Sequence, residues 1–120
     1  MQTGVDISKI DRFKNLANNQ RFLSKYFSPA EIEHISQKKF TAQTVAGLFC
    51  AKEAVLKALN LGIGAGLDLK EISTNFLPSG KPFVEVTAKI DFYLQKIGCN
   101  SLAISISHDG EYAIAFCVAS

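Results

Sequence analysis

One segment constrains this chain more than any other: residues 41–61, TAQTVAGLFCAKEAVLKALNL. Placed on a helix at about 100° per residue, Val45, Leu48, Phe49, Val55, Leu56 and Leu59 share one face. Ala46, Ala51, Ala54 and Ala58 fill much of the remainder with small side chains. A helix that is apolar or small nearly all round is a buried helix, so the rest of the chain must wrap it. Yet it carries Lys52, Glu53 and Lys57. Lys52 falls inside the apolar stripe, while Glu53 and Lys57, four residues apart, share an adjoining edge. Two readings follow. The pair is an i,i+4 salt bridge at a solvent edge, stabilising by roughly 0.2–0.5 kcal/mol. Alternatively the helix borders an occupied polar site, because a buried charge costs several kcal/mol unless it is paired or binds a ligand. Three charges among alanines favour the second.

Asp6 raises the same question in a different element. It lies between Val5 and Ile7 in an apolar strand pattern at residues 4–7. Strand alternation can turn it to solvent; otherwise it needs a partner or a ligand. Asp6 and Glu53 together would suit a hard cation, since Mg²⁺ commonly takes one or two carboxylates plus substrate phosphates. Spacing alone does not bring them together.

Around the long helix the pattern predicts an α+β fold, with helices packed on a mainly antiparallel sheet. Helices are expected over 9–17 and 20–26. Ser28-Pro29-Ala30-Glu31 signals another helix start, with a capping serine, proline in the first turn and glutamate three residues on. Gly62 is the expected stop of the long helix. Strands are expected over 69–76 and 83–87 around a turn at 78–82, then a helix over 88–97 closed by Gly98. Two final strands, 102–107 and 112–118, flank a hairpin at His108-Asp109-Gly110-Glu111. No repeat or composition break divides the chain, so residues 1–120 read as a single domain.

Composition narrows the classes. Hydrophobic residues make up 48% and charged residues 20%, which argues against disorder. A net charge of +2 and phenylalanines in core patterns give no footing for nucleic acid. No apolar run reaches a membrane span, and the first residues do not resemble a signal peptide. Cys50, Cys99 and Cys117 sit in apolar settings without C-x-x-C spacing, which points to free thiols in a reducing, cytoplasmic compartment and not to zinc. Arg12, Lys14, Arg21 and Lys25 form a basic cluster near the N-terminus.

Four motifs, in order, resemble those of a known family. They are Gly4-Val5-Asp6-Ile7; Phe49-Cys50-Ala51-Lys52-Glu53-Ala54-Val55-Leu56-Lys57-Ala58; Gly80-Lys81-Pro82; and Ser105-Ile106-Ser107-His108. Together they resemble the small phosphopantetheinyl transferases, in the holo-(acyl-carrier-protein) synthase branch, over nearly the whole chain. The long F-x-x-K-E-A-x-x-K-A segment is the most specific piece.

The resemblance implies the 4'-phosphopantetheinyl transferase fold, assembled as a homotrimer with active sites between subunits. It implies transfer of 4'-phosphopantetheine from coenzyme A to a serine of apo-acyl carrier protein in fatty acid biosynthesis, releasing 3',5'-ADP. Asp6 and Glu53 would coordinate Mg²⁺, and Lys57 would face the phosphates. Ser107 and His108 would contact the phosphate and ribose end of coenzyme A, and Gly80, Lys81 and Pro82 its adenine end. The acidic carrier would dock on Arg12, Lys14, Arg21 and Lys25. Leu48 departs from the family, which commonly has an arginine there for the nucleotide's phosphate; Lys81 is one candidate to compensate. The rival reading is a non-catalytic carrier-protein or nucleotide-binding module.

Overall fold

The computed structural model describes all residues, Met1–Ser120. The strands are β1 (Gln2–Lys9), β2 (Thr74–Phe76), β3 (Pro82–Val84), β4 (Leu102–Asp109) and β5 (Tyr112–Ala119). The helices are α1 (Gln20–Tyr26), α2 (Pro29–Gln37), α3 (Ala42–Ala58) and α4 (Ala88–Lys96), with short 3-10 turns at Ile10–Phe13 and Leu69–Glu71. β1, β5 and β4 form one antiparallel sheet in the order β1-β5-β4, and β2 and β3 form a separate antiparallel ribbon. The α+β expectation with a mainly antiparallel sheet holds.

α3 is the axis of the core. Val45 through Lys52 are all buried, as are Ala54, Val55, Leu56 and Ala58. It packs against the inner face of the sheet, where Ala113, Ala115, Cys117 and Ala119 of β5 alternate inward. Small residues on both surfaces bring the two backbones close. Gly4 is the extreme case. A Cβ there would lie 2.0 Å from the Ala54 carbonyl oxygen and 2.6 Å from the Ala58 amide nitrogen. β1 therefore crosses α3 at a distance that only glycine permits.

Four local expectations are corrected. The strand expected at 83–87 is Pro82–Val84, because Thr87 turns to cap α4, its hydroxyl oxygen accepting from the Ile90 amide. The helix expected at 9–17 is only the 3-10 turn Ile10–Phe13, because strand pairing continues through Lys9↔Tyr112 and the Ile10 amide still donates to Glu111 O at 2.8 Å. The strand expected at 69–76 shrinks to Thr74–Phe76. Asp68 and Glu71 form a reciprocal capping box that curls Leu69–Glu71 into a 3-10 turn. α3 ends before Gly62: Asn60 takes the left-handed conformation at φ 59, and the Leu61 amide donates back to Leu56 O at 2.8 Å. The α2 start is as expected, with Ser28 and Glu31 forming a complete capping box.

Candidate active site

Inner-face alternation on β1 decides the orientation of Asp6. Gly4 and Ser8 are buried toward α3, and Asp6 lies between them on that face, partly covered, while Val5 and Ile7 are exposed on the other. The close crossing at Gly4 sets Asp6 against the second half of α3. Lys57 donates to Val5 O at 2.8 Å and lies 3.4 Å from Asp6 Oδ1. Burial pushes the Glu53 carboxyl above the usual carboxylate range, and the negative charge of Asp6 pushes it further; Lys57 and Arg12 pull it back. Two carboxylates thus feel each other across the β1–α3 seam, one helical turn from a lysine.

This arrangement fits a magnesium-type ion. Two carboxylates repel in a partly desolvated cleft, and a divalent cation relieves that repulsion. No third His, Cys, Asp or Glu joins them in a cluster, so most of a bound ion's coordination would remain for water and phosphate oxygens. An incomplete protein shell of hard oxygen ligands suits Mg²⁺ bound together with a phosphorylated substrate.

Lys52 does not belong to this site. It is 0% exposed and points to the other side of α3. Its ammonium pairs with Glu31 of α2 and donates to the carbonyl oxygens of Leu69, at 2.9 Å, and Ile72. Burial pulls the Lys52 pKa down, opposed by the Glu31 carboxylate. The three charges that drew attention in α3 therefore divide: Glu53 and Lys57 face β1, and Lys52 is a structural ion in the core.

A second feature lies over the first half of α3. A cavity of about 200 Å³ is lined by residues including His34, Gln43, Leu48, Phe76, Pro82 and His108, and no acidic side chain borders it. Gly80 also lines it, so three of the residues assigned to coenzyme A meet there. The Gln43 amide donates to His108 Nε2 at 3.0 Å. Two assigned residues are placed elsewhere. Ser107 projects from the opposite face of β4 to His108, by strand alternation, opposite Ile114. Lys81 is exposed and does not border the cavity. Leu48 is buried at 1% and offers the cavity no cation.

The Asp6–Glu53 pair lies at the β1 edge of the sheet and the cavity at the β4 edge. Those edges are two strand spacings apart, roughly 10 Å.

The basic cluster is exposed, and none of its four members forms a salt bridge within the chain. Arg21 and Lys25 are one turn apart on α1, whereas Arg12 lies on the 3-10 turn. The Arg12 guanidinium sits 5.2 Å from the centre of the Phe49 ring, close enough to Glu53 to lower its pKa. In the sequence Arg12 stands out only as docking charge, and His34 has no assigned role. His34 is half-buried and stacks on Phe76 at 4.0 Å and 14°. Neither position carries a motif. The one available signal was His34 lying on the same helix as the capping Glu31.

Comparison with known proteins agrees with the fold and with the motif resemblance. The model of the 4'-phosphopantetheinyl transferase superfamily matches residues 2–117. A holo-[acyl-carrier-protein] synthase of Clostridium acetobutylicum is 42% identical over 116 residues, covering 96% of this chain and 93% of the relative. One from Caldicellulosiruptor bescii is 34% identical, covering 97% and 94%. The crystal structure of Helicobacter pylori holo-[acyl-carrier-protein] synthase in complex with coenzyme A is similar with a TM-score of 0.85 at 35% identity, covering 98% of this chain and 99% of that one. With the family model spanning residues 2–117 and relatives above 30% identical over nearly the whole chain, the chain belongs to the 4'-phosphopantetheinyl transferase superfamily, in its holo-[acyl-carrier-protein] synthase branch.

Proposed function

We propose that this chain, acting as one domain over residues 1–120, transfers 4'-phosphopantetheine from coenzyme A to a serine of apo-acyl carrier protein in fatty acid biosynthesis. The carrier hydroxyl oxygen forms a bond to the β-phosphorus as its proton passes to a site carboxylate or to water, the bond from that phosphorus to the bridging oxygen breaks, and 3',5'-ADP departs with that oxygen. The single observation that carries this reading is the Asp6–Glu53–Lys57 constellation at the β1–α3 crossing.

Asp6 and Glu53 would hold Mg²⁺, which when bound supplies positive charge to the diphosphate and orients it. The other roles belong to the chain itself. Lys57, anchored by Val5 O, presents its ammonium to the phosphates and can donate to the departing oxygen. His108 and the Gly80–Pro82 loop receive the nucleotide end in the cavity. Arg12, Lys14, Arg21 and Lys25 attract the acidic carrier, which raises encounter rate more than affinity.

The active form is a homotrimer with sites between subunits. Its support is the outer face of the sheet, where Val5, Ile7, Ile114 and Phe116 are exposed side by side through the pairings Val5↔Phe116 and Ile7↔Ile114. The separation of carboxylate pair and cavity on opposite sheet edges also suits a site completed by a neighbour. A cytoplasmic setting accords with three buried free cysteines and with no helix long and apolar enough to cross a membrane.

The test is to incubate the protein with apo-carrier, coenzyme A and Mg²⁺ and to weigh the carrier by mass spectrometry. The expected result is a gain of one phosphopantetheine. No gain with any carrier would overturn the reading.

A further inference from the structure

The cavity over the first half of α3 contains a residue that neither the motifs nor the proposed chemistry uses. His34, on α2, lies flat against Phe76 of β2 with ring centres 4.0 Å apart and planes inclined by 14°. No hydrogen bond from another side chain or the backbone holds its imidazole. Both rings line the cavity, together with Pro82 and His108. A half-buried ring kept flat on a cavity wall, with unpartnered nitrogens, is prepared to meet another flat ring.

We propose that His34 is the residue that recognises the purine of the coenzyme A donor in this chain, stacking on the base from the α2 side of the cavity. The inference rests on the function proposed above.

Three observations select the base over a phosphate. First, burial, aided by the nearby positive charge of Lys38, lowers the His34 pKa, so the ring is neutral at cytoplasmic pH. A neutral imidazole is a weak partner for a phosphomonoester but a good platform for an uncharged heteroaromatic ring. Second, the cavity volume of about 200 Å³ is below the roughly 300–1,000 Å³ of pockets that enclose a whole drug-sized ligand. It seats a fragment the size of a base, leaving diphosphate and pantetheine outside. Third, the wall is mixed in the way a purine demands. Leu48, Phe76, Pro82 and Ile106 offer apolar contact, and Gln43, Thr44 and His108 offer hydrogen bonds at the rim. Leu48 contributes packing here, so base stacking supplies affinity that a cation at that position would otherwise add.

The test compares wild type, His34→Ala and His34→Phe with coenzyme A and with 3'-dephospho-coenzyme A as donors. Binding of 3',5'-ADP is measured by calorimetry on the same proteins. Loss of one stacked base raises KM by about tenfold. We expect His34→Ala to show that rise with both donors, with kcat changed less than about twofold, and His34→Phe to restore KM to near wild type. The Kd for 3',5'-ADP should follow KM. Should His34→Ala fail to fold, judged by circular dichroism, His34→Asn takes its place. An unchanged KM overturns the proposal. So does a penalty that vanishes with 3'-dephospho-coenzyme A, which would make His34 a phosphate contact, and so does a His34→Phe protein as impaired as His34→Ala. Failure of the transferase reading itself would appear differently, as absence of transfer by wild type. The calorimetric arm would still decide His34 through its effect on 3',5'-ADP binding.

Discussion

Lys52 of α3 and Glu31 of α2 form an ion pair with both side chains 0% exposed. The pair is fully satisfied. Lys52 also donates to Leu69 O and Ile72 O, while Glu31 accepts from the amides of Ser28, at 2.9 Å, and Thr74, at 3.0 Å. One carboxylate thus caps α2, anchors the start of β2 and neutralises a cation in the core. Removing one partner strands the other charge, which costs about 3–5 kcal/mol. Lys52→Met is expected to lose about that much stability in urea unfolding. The double variant Glu31→Gln/Lys52→Met should recover part of the loss, because no unpaired charge is left behind. A double variant as unstable as the sum of the singles would show that the pair carries no coupling.

Gly4 is the hinge between fold and chemistry. Its absent side chain lets β1 approach α3 closely enough for Lys57 to reach Val5 O and Asp6. In Gly4→Ala the new methyl group meets backbone atoms of Ala54 and Ala58, which cannot rotate away. The strand must shift, at a cost of about 1–3 kcal/mol. Transfer activity should fall by at least tenfold even where the protein remains folded, because the Asp6–Glu53 geometry opens. Circular dichroism together with the carrier mass assay checks both halves.

What the sequence made legible was local. The Ser28–Glu31 box, the stop at Gly98 and the turn at Gly110 involve residues within one or two turns of each other, and each is where the pattern put it. The burial of α3 was legible because its periodicity is unambiguous. The 3-10 turn at Leu69–Glu71 and the helix stop at Asn60 are local features that were missed; the other errors came from partners distant in the chain. Lys52 stood out as a misplaced charge, but its partner Glu31 is 21 residues away and had already been read as a helix cap. Asp6 could be matched with Glu53 only through family likeness, since their electrostatic coupling depends on a strand crossing that no spacing encodes. Residues 9–17 have a helical stripe, yet pairing with β5 claims the first of them. His34 has no motif, and its role emerges only where α2, β2 and α3 meet.

Glu53 should show opposite effects on stability and activity. Burial and Asp6 hold its folded-state pKa above the unfolded value. The native state therefore binds that proton more tightly, and ionisation costs stability at neutral pH, a cost that disappears as pH falls through the raised pKa. Glu53→Gln removes the cost. In EDTA at pH 7.5 its Tm should equal or exceed wild type by about 1–3 °C, and the difference should close toward pH 4. Transfer with Mg²⁺ should fall at least a hundredfold. Chelation of wild type should abolish transfer, with recovery on adding Mg²⁺. Full activity in Glu53→Gln would exclude it as a metal ligand.

The proposed docking charges are testable by salt. Arg21 and Lys25 are exposed on one face of α1 without intramolecular salt bridges. Reversing both, Arg21→Glu/Lys25→Glu, should lower kcat/KM for the carrier about tenfold at low ionic strength and much less in 0.5 M salt, where the screening length is only about 4 Å. KM for coenzyme A should not move. A parallel change in both substrates would place these residues at the coenzyme site instead.

Phe116 tests the assembly. It stands at the middle of the outer face, paired with Val5 on one side and Ser105 on the other. It is 44% exposed, and Ile7 nearby is 59% exposed. In an isolated chain such a patch is a liability; between subunits it is an interface core. If this face forms the interface of the proposed trimer, Phe116→Glu buries a charge there and should disrupt assembly. Sedimentation equilibrium should report a trimer for wild type and a monomer for the variant. The isolated fold should persist, because the side chain faces away from α3 and the core. If sites are shared between subunits, transfer should fall with the loss of assembly although Asp6, Glu53 and Lys57 are untouched. A monomeric Phe116→Glu protein with full activity would instead show that one chain contains the complete site.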